Sequence, residues 1–317
     1  VGAGGGARRV TAPSGVPGAS PGRATGGPRV GSAHNIRRVI IDSDQIPSDA
    51  LRGIKVINMA VNVPGPLAAA RLRAYGAEVV KIEPPQGDPL GAIGDSWYRE
   101  MVGDSEVLTI DAKSGEGRDR IHAMLDAADV LITSMRPSAL ARIGLDSAVE
   151  AHPHLCHVEI VGDSDDPEVP GHDLTYQATA GVLSPPTMPK VLVADLMGTE
   201  RAVSAVMALL VRRGRKGVGG MARVGLRQAA EAASAPARHG FTGEGGLLGG
   251  GLPSYGLYEV EDGWVAVAAL EPHFLARLTD LTGATDAESL SAYLRSRKRA
   301  TVARWAMDHD LPIASVE

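Results

Sequence analysis

Residues 51–83 read LRGIKVINMAVNVPGPLAAARLRAYGAEVVKIE, and the fold follows from them. The apolar run IKVINMA predicts a strand, VNVPGP a loop, and the Ala/Leu/Arg stretch a helix that ends at Gly76. AEVVKIE then predicts a second strand. Together they form a β-α-β unit, and the pattern continues downstream. VLTID reads as a strand, a helix follows from Ser114 through EGRDRIHAMLDAA, DVLITS is a strand, PSALARIG a short helix, and LCHVEIV a strand. Strands alternating with helices imply an α/β fold, a Rossmann-like parallel sheet with helices on both faces. The first loop carries Pro-Gly-Pro in place of G-x-G-x-x-G, so a nicotinamide-dependent oxidoreductase is the least supported function.

A long helix is predicted through GTERAVSAVMALLVRR, then a Gly-rich break RGRKGVGG and the strand MARVGL. Residues 254–269, SYGLYEVEDGWVAVAA, alternate around Glu-Asp-Gly as a hairpin, and three helical patterns follow. The segment GLLGGGLPSYG reads as a hinge or a place of close backbone approach. The resulting division is a Gly/Ala/Pro/Arg-rich extension over 1–50, expected to be disordered, a large Rossmann-like domain over 51–240, and a smaller α+β domain over 241–317.

Composition narrows the function. The 317 residues carry a formal charge of −5. The six arginines and absent acids of residues 1–38 leave −11 for the rest (−5 less +6), and an acidic body argues against nucleic acid as the main partner. The single cysteine, Cys156, allows no internal disulfide, and with no apolar run near the roughly 20 residues of a bilayer span the expected location is cytoplasmic. The leader is too rich in Gly and Pro for an amphipathic targeting helix.

Titratable residues gather at three predicted junctions. His172 follows Pro-Gly at a helix start in PGHDLTYQATAG; by residue type it is either a capping or hydrogen-bonded structural histidine or a proton carrier. Its neighbour Asp173 is a natural N-cap. Asp195 is placed where VLVA, read as a strand, gives way to a helix, either an N-cap or a ligand-facing carboxylate at a strand's carboxyl end. Glu271 precedes Pro272 at another helix start, as a dipole partner or a site carboxylate. His152, His154 and His157 alternate around a strand without a convergent carboxylate, which favours surface or packing roles over a metal site.

The order and spacing of VPGPLAAARLRAYGAEVVKIEPPQGDP, LTIDAKSGEGRDRI, ADVLITSMRPSALARIGL, PGHDLTYQATAG, VADLMG and PSYGLYEVEDGWVAVAALEPHF resemble the family III CoA-transferases (CaiB/BaiF), over residues 51–317. That group holds both CoA-transferases and an α-methylacyl-CoA racemase. The resemblance implies coenzyme A thioesters and carboxylic acids as substrates, no metal, and an interlocked homodimer in which each chain passes through the other. The long connections around RGRKGVGG and GFTGEGGLLGGG would provide the span. It implies Asp195 as the catalytic aspartate, acylated and then carrying CoA in the transferases, or one of two acid/base groups in the racemase. His172 of the Gly-His-Asp motif would be the other group and Glu271 its support. Lys113, Arg136, Arg142, Gly171, Asp173 and Tyr176 would contribute to CoA binding.

Some positions depart from that pattern. VGDSEV stands where relatives carry a basic run, Pro84 where an arginine is expected, and the net-acidic VGDSDDPEVP replaces a Gly-rich loop. These changes remove positive charge that would meet CoA phosphates. The function expected is CoA transfer between carboxylic acids through Asp195, with racemase-type epimerisation or a member that has lost CoA chemistry as alternatives.

Overall fold

A computed structural model of the chain describes residues 47–317; the extension expected to be disordered lies outside these residues except for its last four, which form a turn closed by Ala50 N–H donating to Pro47 O at 3.0 Å. The elements of the first half are β1 (Lys55–Asn58), α1 (Pro64–Ala74), β2 (Glu78–Glu83), α2 (Pro89–Ile93), α3 (Asp95–Val102), β3 (Glu106–Thr109), α4 (Gly115–Leu125), β4 (Val130–Thr133), α5 (Pro137–Arg142), α6 (Ala148–Ala151) and β5 (Cys156–Val161). They are followed by α7 (Asp173–Thr179), α8 (Val193–Lys216), β6 (Gly220–Gly225), α9 (Leu226–Ala233) and α10 (Ala235–Arg238). The C-terminal part adds β7 (Tyr255–Val260), β8 (Gly263–Ala268), α11 (Pro272–Thr282), α12 (Ala287–Arg295), α13 (Arg299–Asp308) and β9 (Ile313–Ser315).

β1 to β6 form one sheet in the order β3-β2-β1-β4-β5-β6, every pair parallel. This is the doubly wound order, in which the chain first builds outward from β1 and then restarts on its other side at β4. Both faces are covered, which is why β4 reads as a nearly continuous apolar run and every residue of β5 is buried, His157 and Glu159 included. One face packs Val56, Val130, Val158 and Ile160 against α1 and α8; the other packs Ile57, Ile82 and Leu131 against α4 and α5. A second sheet, β7-β8-β9, is antiparallel throughout and lies on α11, α12 and α13 through Tyr258, Val265, Leu278, Leu290 and Val302. The predicted hairpin is present, with Val260 paired to Gly263 across Glu261-Asp262.

Two expected features differ. VLVA is not a strand: α8 begins at Val193, so Asp195 sits in the first turn of a 24-residue helix. The Gly-rich break RGRKGVGG is not a long connection either, since α8 continues to Lys216, Gly217 closes it at φ 75°, and β6 starts at Gly220. Arg213, Arg215 and Lys216 in that last turn suit the negative end of the helix. Of the two connections expected to be long, the one between α10 and β7 is, and Gly249 and Gly250 turn the chain there.

Candidate functional site

The carboxyl ends of β1, β4 and β5 open into a cavity of about 350 Å³ at the point where the strand order reverses. Val61 and Asn62 reach it from the loop after β1, Ser134 from the exit of β4, and Gly162 from the exit of β5. α7 and α8 close its other side with His172, Asp173, Tyr176 and Asp195. His172 and Asp195, brought together only as expectations of sequence, thus line one cavity.

Asp173 explains how α8 starts there. Its Oδ1 accepts from Ala194 N–H at 2.7 Å and from Asp195 N–H at 3.1 Å, while Oδ2 accepts from the Gln177 amide. Gln177 donates also to Val191 O, tying the preceding loop to α7. Asp173, only 4% exposed, is therefore the cap of a helix twenty residues away in sequence, not of its own. Leu192, the residue before α8, supplies no side-chain cap.

The Asp195 carboxyl pays for this position: burial first, then the nearby Asp173 charge, pushes it up to about 7. A carboxyl that is half ionised near neutrality is fit both to carry a proton and, once ionised, to attack a carbonyl. His172 occupies the N-cap of α7 in extended conformation, with no capping bond from its imidazole; its backbone N–H donates to Thr175 Oγ1 at 3.0 Å. The ring is exposed on the cavity side of α7. Burial is the main reason that the Tyr176 hydroxyl, on the next turn, is pushed above its ordinary range, with the Asp195 charge second.

Glu271 is not part of this cavity. It is the exposed N-cap residue of α11, in the C-terminal part, and takes no side-chain capping bond. The expected cation set is split as well. Lys113 lines a second cavity of about 370 Å³ walled by Met59, Ile82, Pro84, Ile110 and Ile143. Arg136 lines a third, smaller one that shares Ser134, Gly162, Gly171 and Tyr176 with the first. Arg142 is exposed at the end of α5. Facing the two arginines, Glu168 of the acidic loop accepts from Ser138 N–H and Oγ, both at 2.8 Å, and these bonds, helped by Arg136 and Arg142, hold its carboxyl low. Val61 belongs to both the first and second cavities and Met135 to both the second and third, so the three adjoin.

His152, His154 and His157 take structural places. His157 is buried in β5 and bonded to Thr133 Oγ1 at 2.9 Å, while His152 lies between His122 and Asp126. Among the described residues no group of three or more His, Cys, Asp or Glu is arranged to hold a metal, and no helix is long and apolar enough to cross a membrane.

Sequence reading missed the support beneath the β1–α1 loop. Lys81, 1% exposed in β2, donates from Nζ to Ala60 O at 2.8 Å and faces Asp88 Oδ2 at 3.0 Å, while Asp88 Oδ1 accepts from Asn62 N–H at 3.0 Å. The signal was present in VVKIE, where lysine and glutamate interrupt an otherwise apolar strand.

The model of CoA-transferase family III matches residues 51–312. The chain belongs to that family. As a family III protein it is an enzyme, similar to α-methylacyl-CoA racemase of Mus musculus at 28% identity over 267 residues, 78% of this chain and 68% of the racemase. It is also similar to (R)-2-hydroxy-4-methylpentanoate CoA-transferase of Clostridioides difficile, at 30% identity over 156 residues that span 44% of this chain and 39% of the transferase. The fold matches the crystal structure of a hypothetical protein from Mycobacterium tuberculosis, with a TM-score of 0.74 at 22% identity over 86% of each chain. A CAIB/BAIF family protein from Brucella suis gives 0.72 at 23% identity, over 85% of this chain and 84% of that one.

Proposed function

We propose that this family III enzyme moves coenzyme A between carboxylic acids, and that Asp195 carries the transfer. The observation behind this reading is a carboxyl pushed up to about 7 in the first turn of α8, in a cavity at the sheet's topological switch point. In its ionised form Asp195 attacks the acyl carbon of the donor thioester; the C–S bond breaks and CoA thiolate leaves, giving an acyl–aspartyl anhydride. The thiolate then attacks the aspartyl carbon, releasing the donor as its carboxylate and leaving CoA as a thioester on Asp195. The acceptor carboxylate repeats the two steps in reverse, and the aspartate is regenerated. The adjoining cavities offer the CoA a path from Lys113 past Arg136 to Asp195, with Gly171, Asp173 and Tyr176 beside its reactive end.

His172 on the same cavity favours a second reading, epimerisation next to the thioester, with His172 and Asp195 on opposite faces of the α-carbon. The two separate in deuterated water. Transfer moves CoA to an added acid with no deuterium at the α-carbon; epimerisation labels the α-carbon with no acceptor present. Failure to bind or turn over any acyl-CoA would leave a member that has kept the fold and lost the chemistry.

We also infer a homodimer. The outer face of the β7-β8-β9 sheet exposes Leu257 at 65% and Trp264 at 49%, and Glu271 stays off the cavity in a single chain, so a second copy would both cover apolar surface and be able to bring Glu271 to His172. Sedimentation that finds a monomer at micromolar concentration contradicts it. The small-molecule substrates need no nucleic acid and no membrane, and a cytoplasmic location suits them.

A further inference from the structure

Asn62 stands out in the loop that joins β1 to α1. It lines the cavity of His172 and Asp195, its backbone is at φ 65°, one of two non-glycine positive values among the described residues, and its carboxamide has no hydrogen-bond partner there. An asparagine tolerates the left-handed region better than most residues but glycine does so without strain, so conformation alone gives no reason for a side chain here.

Four bonds from outside side chains and from Asn58 hold the backbone of the loop around it. Ala60 N–H donates to Asn58 Oδ1 at 3.0 Å, Val61 N–H to Ser134 Oγ at 3.0 Å, Asn62 N–H to Asp88 Oδ1 at 3.0 Å, and Ala60 O accepts from the buried Lys81. Gly65 completes the clamp: a Cβ there would lie 2.1 Å from that of Ala60. The Thr199 hydroxyl of α8 lies within donating distance of both Asp195 O, at 2.9 Å, and Pro64 O, at 3.2 Å, so the same loop lies against the turn that carries Asp195. A strained residue over-determined by its surroundings, at the edge of a cavity and with a free donor, has the form of a functional constraint.

We propose that the Asn62 carboxamide donates a hydrogen bond to the thioester carbonyl oxygen of the acyl-CoA, where negative charge gathers as the C–S bond is attacked or the α-proton leaves. The buried Lys81–Asp88 pair is the positioning device that fixes the loop at this angle. The inference rests on the acyl-CoA reading above and deepens it by naming the group that meets the carbonyl.

Asn62→Gly tests it cleanly, because glycine keeps the positive φ and removes only the carboxamide. The result expected is an unchanged melting temperature, unchanged affinity for free CoA by calorimetry, and a fall in kcat/KM on the order of 10²-fold, the size typical of one lost oxyanion donor. Asn62→Asp, which keeps the shape and replaces the donor with a charge, should fall at least as far. Wild-type activity in Asn62→Gly would show that the side chain serves only the backbone and would overturn the inference while leaving the acyl-CoA reading intact. A wild-type protein that neither binds nor turns over acyl-CoA would overturn both.

Discussion

Burial and Asp173 together hold the Asp195 carboxyl near 7, well above its range in an unfolded chain. The folded state therefore binds the extra proton between about pH 4 and 7, and stability falls as pH rises through that window. Asn in place of Asp195 removes the penalty. Asp195→Asn should be as stable as wild type near pH 4 and more stable by about 2 to 4 kcal/mol near pH 8, with turnover abolished at both. Denaturant unfolding at the two pH values checks the first part; equal stability at both would show that the carboxyl is not destabilised by its site. His157 provides an opposite slope. Burial, helped by Arg223, pushes it down to about 4, so the unfolded state takes the proton first and stability is lost as pH falls from about 6.5 toward 4. His157→Gln should flatten that loss, by roughly 3 kcal/mol over the window, and an unchanged slope would show that His157 is not the group whose protonation costs the stability.

At the scale of elements, the strands and most helices were legible because each obeys a local rule: apolar runs with Ala/Leu/Arg spacing, a Ser cap before α4, proline at the first turn of α1, α5 and α11. The start of α8 was not legible. Its cap is Asp173, on a different helix, so nothing next to Val193 announces a helix and the apolar VLVA reads as a strand. RGRKGVGG misled for a similar reason, since packing on the sheet through Val203, Val206 and Leu209 carries α8 past Gly214 despite its poor propensity. His172 and Asp195 were recognisable by motif, whereas Lys81, Asp88 and Asn62 matter through contacts between β2, the following loop and the β1–α1 loop, which spacing does not disclose. That brace makes a definite prediction. Lys81→Met leaves the Asp88 carboxylate buried without its cation and should cost about 3 to 5 kcal/mol in denaturant unfolding; a loss below about 1 kcal/mol would show the loop to be held without the pair.

For the whole molecule, the large sheet supplies a fixed frame, and three adjoining cavities run along its carboxyl edge from Lys113 to Asp195. The frame would offer the CoA proposed above less positive charge than the family resemblance implies, with Pro84 in that stretch and Glu168 set against Arg136 and Arg142. Salt should accordingly weaken CoA binding only modestly. The α-helical back of the small sheet is filled while its front, with Leu257 and Trp264, stays open, in keeping with the dimer proposed above. The claim on which all of this turns is that Asp195 itself carries the CoA. Mass spectrometry of the chain after incubation with acyl-CoA and a borohydride or hydroxylamine quench tests it directly. The account predicts modification of the peptide containing Asp195 and of no other carboxylate; an unmodified Asp195 in a preparation that transfers CoA to an added acid would contradict it.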